Sequence, residues 1–219
     1  MKHLKYIQVS LITWIAIVSF GCTVKVPMNP YVGKIEIGQE LPVEAGLLIT
    51  EETKSYVFKG NPESFTGGGR PHEFPLGEAL ENASLQAFSQ VFKKVSLVRS
   101  RKEANNYQVV IEPGIEEFHF EYDQLSYVGF AVAVLSKIKV RVTLANGETK
   151  IWEKTVESPQ QKEGPWVFDP GYEKETGLSA SKALVFTLKD ITAAIAADSA
   201  IRQFTEQRKR GASPEGKGP

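Results

Sequence analysis

The residues Lys137-Ile-Lys-Val-Arg-Val-Thr-Leu-Ala-Asn-Gly-Glu-Thr149 alternate between polar and apolar side chains and then reach a turn signal. Successive side chains of a β-strand point to opposite faces of the sheet, so the alternation predicts a strand with one buried face. Asn146-Gly147 supplies the positive φ angles of a tight hairpin turn, and residues 150–156 return as the partner strand. The stretch therefore predicts an antiparallel sheet.

Two segments that flank this hairpin along the chain have the spacing of amphipathic helices. Residues 75–95 begin with a proline, which suits the first helical position, and residues 179–207 have an alanine-rich middle. A helix with one apolar stripe must bury it against another element. The stripes are formed by Leu76, Leu80, Phe88, Phe92 and Val95 in the first segment and by Leu184, Leu188, Ile191 and Ile195 in the second.

These elements predict a single α+β domain over residues 45–207, in which an antiparallel sheet carries two long amphipathic helices on one face. Further strands are expected at residues 45–50, 55–58, 107–111 and 115–122, the third of them ended by Pro113 and Gly114. The Pro- and Gly-rich segments 59–75 and 158–177 are predicted to be long loops.

The N-terminus has the composition of an export signal. Lys2 and Lys5 form a positive head, residues 6–20 are mostly apolar, and Gly21 precedes Cys22, the only cysteine of the chain. The apolar run is shorter than the about 20 residues that a transmembrane helix needs. We predict a signal peptide over residues 1–21 and a lipidation site at Cys22, with an ordinary cleaved signal or an uncleaved anchor as the alternatives.

Composition limits the classes of function. The 26 basic and 26 acidic residues give a net charge of zero, which does not favour nucleic-acid binding. One cysteine cannot form an internal disulfide, so packing must stabilise the domain. Residues 22–44 are rich in Pro, Gly and polar side chains and are predicted to be a tether, and residues 208–219 a disordered tail.

Two apolar stretches are candidates for an interface. Residues 127–135 are the most apolar part of the chain after Cys22, and residues 166–172 carry aromatic side chains within a predicted loop. A strand buried on both faces and a lid over the core are the interpretations we favour for them. The alternative is contact with a membrane or a partner protein. That alternative assigns interface roles to Tyr127, Phe130, Val132, Val134, Trp166 and Phe168.

The sequence lacks a pattern for catalysis, a metal or a cofactor. Residues 67–70, Gly-Gly-Gly-Arg, are not followed by the Lys-Ser/Thr pair of a phosphate-binding loop. Glu117, His119 and Glu121 share a strand face, but the two glutamates lie about 13 Å apart there, too far to share one ion. An enzyme is not expected. A hydrolase would need His72 or His119 in a cleft beside a carboxylate and a nucleophile.

Several segments resemble the YajG-type and ABC-transport-auxiliary, LptE-like, outer-membrane lipoproteins of bacteria. Cys22 precedes the strand Ala45-Gly-Leu-Leu-Ile49, the helix pattern Gly77-Glu-Ala-Leu80 and the strand Tyr107-Gln-Val-Val-Ile-Glu-Pro113. The resemblance covers residues 45–204 and implies an α+β domain that faces the periplasm and assists an envelope transport or assembly machine. It implies no catalytic residues; Thr23 after the cysteine is compatible with the outer membrane.

The sequence thus favours a lipid-anchored, non-catalytic accessory or assembly factor whose sheet edge or apolar segment binds a transport protein. The alternative is a periplasmic binding module for a lipid or another apolar ligand, which would need a cavity behind Phe88, Phe92 and Phe118. The expected partners are the membrane, through Cys22, and an envelope protein, without nucleic acid. The oligomeric state, including a homo-oligomer, is left open.

Overall fold

The computed structural model describes residues 23–64, 70–123, 131–167 and 171–211, with the backbone alone at residues 131, 165–167 and 209–211. The strands lie in two sheets, one of six strands and one of three. They are β1 (Val24–Lys25), β2 (Leu41–Leu48), β3 (Phe58–Gly60), β4 (His72–Phe74), β5 (Phe92–Val98), β6 (Val109–Asp123), β7 (Ala131–Asn146), β8 (Thr149–Glu157) and β9 (Gln161–Val167).

The described helices differ greatly in length. The short helices α1 (Glu51–Lys54) and α3 (Arg101–Ala104) lie in connections. The longer ones are α2 (Leu76–Phe88), α4 (Tyr172–Ala197) and α5 (Ser199–Gly211). Because α4 packs along β7, β8 and β9 and also against α2, the α+β prediction with helices on one face of a sheet is confirmed.

The large sheet has the order β5-β2-β6-β7-β8 and is mixed. Strand β2 pairs in parallel with both β5 and β6, whereas β7 is antiparallel to β6, β8 and β9. The pattern of the predicted hairpin was therefore a reliable guide to the antiparallel half. The parallel half joins segments that are distant in sequence, and a local alternation pattern does not reveal their pairing.

Strands β6 and β7 form the longest ladder, which runs from Val110 opposite Ala145 to Asp123 opposite Ala133. The predicted hairpin is confirmed, but Asn146 is the last residue of β7 and lacks the predicted positive φ. The turn is formed by Gly147, with a φ of 58°, and Glu148. The prediction that a strand ends at Pro113 was wrong, because Pro113 lies inside β6 opposite Val142. The pairing of β2 with β6 ends earlier, at Ile111, so a residue without an N–H is tolerated at this half-free position.

The two predicted loops contain regular structure. Strands β3 and β4 interrupt residues 59–75, and β9 lies within residues 158–177. Strands β8 and β9 follow the same side of β7, and Ser158 joins them. Its N–H donates to the Ile138 carbonyl at 2.8 Å, and its Oγ accepts from the Ile138 N–H at 3.1 Å.

The single helix predicted over residues 179–207 is two helices. Asp198, with φ −73° and ψ 118°, leaves the helical region and ends α4. Its Oδ1 then accepts hydrogen bonds from the N–H groups of Ala200 and Ile201, which satisfies free donors at the start of α5. Asp198 thus ends one helix and caps the next.

Candidate functional site

The predicted lipidation site lies directly beside folded structure. Cys22 itself is outside the described residues, but Thr23 is described and β1 begins at Val24. Val24 lies opposite His72 in a parallel pairing, and its N–H donates to the Pro71 carbonyl at 2.9 Å. One residue therefore separates the predicted anchor from a hydrogen-bonded strand.

The segment after β1 is packed against the domain, so the prediction of a tether over residues 22–44 was wrong for its described part. We call residues 26–37 the N-terminal strap. Burial alternates along β1 and the first part of the strap, as in an extended chain on an apolar surface. The buried residues are Val24, Val26, Met28, Pro30, Val32 and Ile35, and the exposed ones between them include Lys25 and Tyr31.

Two glutamines near the end of α2 hold the backbone of the strap. Gln86 accepts from the Val32 N–H at 3.1 Å and donates to the Pro30 carbonyl at 3.2 Å. Gln90 accepts from the Ile35 N–H at 2.8 Å and donates to the Gly33 carbonyl at 2.7 Å. A side-chain amide offers both a donor and an acceptor, so each glutamine pairs with the strap as a neighbouring strand would.

The strap also touches α4. A Cβ atom added at Gly177 would lie 1.8 Å from the Pro27 carbonyl oxygen, so the strap backbone runs against the helix at this point. Further along, the Lys189 ammonium lies close to Gly33, and Arg202 of α5 donates to the Gln39 carbonyl at 3.4 Å. The strap therefore runs from β1 to β2 along both α2 and α4.

Three elements meet in a buried polar contact next to β1. The Tyr122 hydroxyl of β6 lies 3.1 Å from His72 Nε2 of β4 and 3.2 Å from Thr176 Oγ1 of α4. Thr176 Oγ1 donates to the Tyr172 carbonyl at 2.9 Å. Because the Thr176 hydroxyl uses its hydrogen for the Tyr172 carbonyl, it accepts from the Tyr122 hydroxyl. The contact joins the small sheet to the large sheet and to α4.

The environment of this contact favours its neutral form. Burial lowers the pKa of His72, while a backbone hydrogen bond to Arg70 and the nearby carboxylate of Glu173 act in the opposite direction. Burial also raises the pKa of the Tyr122 hydroxyl. Both groups are therefore uncharged near neutral pH, and the contact is a structural tie between elements.

Aromatic rings fill the space between the two sheets, where the alternative hypothesis needs a ligand cavity. Phe118 lies 4.8 Å from Phe74 and 5.0 Å from Phe58, measured between ring centroids, with edge-to-face geometry. Phe88 and Phe92 are fully buried in the same core. These contacts between rings stabilise a filled core. Among the described residues, the packing around Phe118 gives no support to an apolar binding cavity.

The outer face of the large sheet carries charged side chains in pairs across strands. Glu117 accepts from Lys139 at 3.2 Å, Glu121 accepts from Gln160 at 2.7 Å, and His119 Nδ1 contacts Glu63. His119 and Glu121 line an open cleft of about 280 Å³. Within the described ranges, no group of three or more His, Cys, Asp or Glu side chains is arranged to hold a metal ion.

The predicted interface residues have different positions. Val132 and Val134 are fully buried in the core, which favours the buried-strand interpretation over the interface alternative for both. The backbone of Trp166 lies in β9 opposite Val132. Cys22, Tyr127, Phe130 and Phe168 lie outside the described residues.

Two features of the sequence are typical of a packed strap. Apolar residues recur at every second position from Val24 to Met28 and again at Val32, which is the spacing of an extended segment with one buried face. Gln86 and Gln90 are four residues apart and fall on one face of the helix predicted over residues 75–95. Pro27, Pro30 and Gly33 favoured the tether interpretation instead.

None of the helices in the described part of the chain is both long enough and apolar enough to span a bilayer.

Comparisons with known proteins found likeness only in structure. The scan of family models gave no match, and neither did the search of curated proteins. A solved DUF330 protein from Xanthomonas campestris has a TM-score of 0.47 and 12% identity, over 88% of this chain and 98% of that one. PelC from Paraburkholderia phytofirmans, solved as a dodecamer, has a TM-score of 0.36 and 9% identity, over 76% and 100%. A minor lipoprotein from Acinetobacter baumannii has a TM-score of 0.32 and 13% identity, over 78% and 96%. Each of these likenesses has a TM-score below 0.5 and concerns the fold alone.

Proposed function

We propose that the protein is a lipid-anchored, non-catalytic lipoprotein of the bacterial outer membrane that serves as an accessory or assembly factor for an envelope transport machine. One observation carries the proposal: the sole cysteine follows a signal-like segment, and the fold begins two residues later at Val24. Such a placement leaves Cys22 as the first residue after the signal and attaches the domain directly to it.

The anchoring has a defined chemistry. The Cys22 thiol takes a diacylglyceryl group from a phospholipid, which forms a thioether, releases the thiol proton and displaces the phospholipid headgroup. Hydrolysis of the peptide bond between Gly21 and Cys22 frees an amine. A third acyl chain passes to this amine from a phospholipid ester, which forms an amide and releases a lysophospholipid. Each buried methylene contributes about 0.8 kcal/mol, and one chain binds only marginally, so two or three chains are needed for stable attachment.

The partner-binding role is supported by the open edge of the large sheet. Strand β5 pairs with β2 on one side and with no described strand on the other. Lys93, near the start of β5, is exposed, and a lysine at a sheet edge discourages non-specific pairing. An extended segment of a transport protein can add to this edge through backbone hydrogen bonds.

The first test is replacement of the anchor residue. Wild-type protein and the Cys22→Ala variant are expressed in a Gram-negative host, fractionated, and analysed by mass spectrometry of the mature N-terminus. We expect an acylated, membrane-bound wild type and a variant that is released from the membrane. Continued membrane attachment of the variant, or a wild-type chain without acyl groups, contradicts the lipoprotein assignment.

The second test identifies the partner. A photo-crosslinking amino acid is placed at Lys93 on the open edge and, as the matched control, at Lys150 in the hairpin between β7 and β8. We expect Lys93 to capture one envelope transport or assembly protein, and Cys22→Ala to abolish the capture. Capture of lipid alone, or equal capture at Lys150, contradicts docking at the β5 edge.

A further inference from the structure

We infer that the end of the domain that carries β1 and Arg70 rests against the lipid headgroups of the membrane, with the hairpin at Asn146-Gly147 pointing away from it. The inference rests on the proposed function, because it requires an acylated Cys22. It adds what the anchor alone does not specify, namely which surface of the domain meets the bilayer.

The free chain between the predicted anchor and the folded domain is short. Only Thr23 lies between Cys22 and β1, and one residue spans at most about 3.6 Å, so the Cα atoms of Cys22 and Val24 lie within about 7 Å of each other. The acyl chains insert from the Cys22 position. The start of β1 is therefore held at the headgroup layer and cannot move outward on a tether.

Strand β1 and the strap are packed against the rest of the domain. The Val24 N–H is bonded to the Pro71 carbonyl, and the strap buries an apolar side chain at Val26, Met28 and Val32. Gln86 and Gln90 hold its backbone at four positions. Lengthening the anchor by release of the strap would break all of these contacts together.

The surface around Thr23 carries exposed charged side chains. Pro71 follows Arg70, which is exposed, and Lys25 is exposed within β1. The His72 ring lies 6.1 Å from the ring of Tyr172, so the start of α4 with the exposed Lys174 lies at the same end. Two cationic side chains, Lys25 and Arg70, thus stand near the anchor, where anionic headgroups attract them, whereas Lys174 shares the first turn of α4 with Glu173 and Glu175.

The hairpin between β7 and β8 lies at the end of the domain opposite to β1. Tyr122 lies next to His72, and the β6–β7 ladder runs from there to Val110 opposite Ala145. Twelve residues of strand span roughly 40 Å at about 3.3 Å per residue. The turn at Gly147-Glu148 lies beyond this point, so an upright domain carries it far from the headgroups.

The experiment uses the acylated full chain in vesicles of phosphatidylethanolamine and phosphatidylglycerol that contain a lipid with a nitroxide on its headgroup. Because the chain has no cysteine other than Cys22, whose sulfur is blocked by acylation, a fluorophore can be attached at one introduced cysteine. The variants are Lys25→Cys and Arg70→Cys near the anchor, Glu148→Cys at the hairpin and Ala193→Cys in the middle of α4. All four positions are exposed.

We expect strong quenching of the labels at Lys25 and Arg70 and no quenching of the label at Glu148. Quenching at Ala193 equal to that at Lys25 would show a domain that lies flat on its helices and would overturn the orientation. Quenching at Glu148 in an acylated chain would overturn it as well. A chain that mass spectrometry shows to lack acyl groups on Cys22 contradicts the proposed function itself and this orientation with it.

Discussion

Gly177 marks the closest approach between the strap and α4. A methyl group there would stand 1.8 Å from the Pro27 carbonyl oxygen, so the backbone of one of the two elements would have to move. Alanine favours a helix interior by about 1 kcal/mol over glycine, but overpacking against a backbone atom costs about 3 kcal/mol or more. The clash therefore outweighs the gain in helix propensity.

We accordingly expect Gly177→Ala to lower the free energy of unfolding by about 2 kcal/mol in urea denaturation. Gly38→Ala is the matched control, because no atom lies within 4 Å of a Cβ added there. The control should change the stability by less than about 1 kcal/mol. Equal effects of the two substitutions would show that the strap does not press on α4 in solution.

His72 should make the stability of the domain depend on pH. Burial lowers its pKa in the folded state below the ordinary value of 6.5. As the pH falls below 6.5, the unfolded chain binds a proton that the folded chain does not, so stability decreases until the pH reaches the lowered folded pKa. One such group contributes at most about 1.4 kcal/mol per pH unit.

The test compares urea unfolding between pH 7.5 and pH 5 for the wild type, His72→Gln and His119→Gln. The variant His72→Gln should lose much of the decline in stability on acidification, and the exposed-site variant His119→Gln should keep it. An unchanged slope in His72→Gln would mean that other groups cause the pH dependence.

The strap is held by Gln86 of α2 and by Gln90 in the turn after α2, and removal of either side chain should loosen it. Gln86→Ala or Gln90→Ala leaves one N–H and one carbonyl of the strap without their partners, which costs about 1–2 kcal/mol. The readouts are urea unfolding and trypsin cleavage after the exposed Lys34, which should become faster. Gln203→Ala makes the same change at an exposed position of α5 and should alter neither quantity.

Local patterns predicted the β7–β8 hairpin because its signals lie within twenty residues. The alternation of residues 137–144 and the turn signal at Gly147 act on neighbouring residues, and both are confirmed, although the positive φ predicted for Asn146 was wrong. Strand β9 was missed for the opposite reason. It contains Gly164 and Pro165, and its pairing with β7 is formed with a segment that lies about thirty residues earlier in the chain.

The anchor-proximal end could be predicted only in part. Cys22 and its signal are short-range features of the sequence, whereas β1 exists because Val24 pairs with His72, almost fifty residues later. Pro27 and Pro30 suggested a solvated tether, yet a proline in an extended segment is compatible with packing when no partner strand needs its N–H. Long-range pairing, which the composition of residues 22–44 does not reveal, therefore determines that the start of this segment is packed against the domain.

The stability of the whole molecule depends on the large sheet, whose central strands have a neighbouring strand on each side. Strand β2 lies between β5 and β6, and β7 lies between β6 and the pair formed by β8 and β9. Opening of a central strand breaks two ladders at once, whereas an edge strand has one. The order of opening should follow from this arrangement.

Native-state hydrogen exchange should therefore show the slowest amides in β2, β6 and β7 and faster exchange in β5, β8 and α5. Helix α5 begins after the break at Asp198 and is the last described element, so it can open while α4 stays packed on the sheet. The strap should exchange more slowly than α5, because its buried side chains and the bonds to Gln86 and Gln90 tie it to the core. Strap amides that exchange as fast as those of α5 would contradict a packed strap, and with it the short, fixed connection between the anchor and the domain.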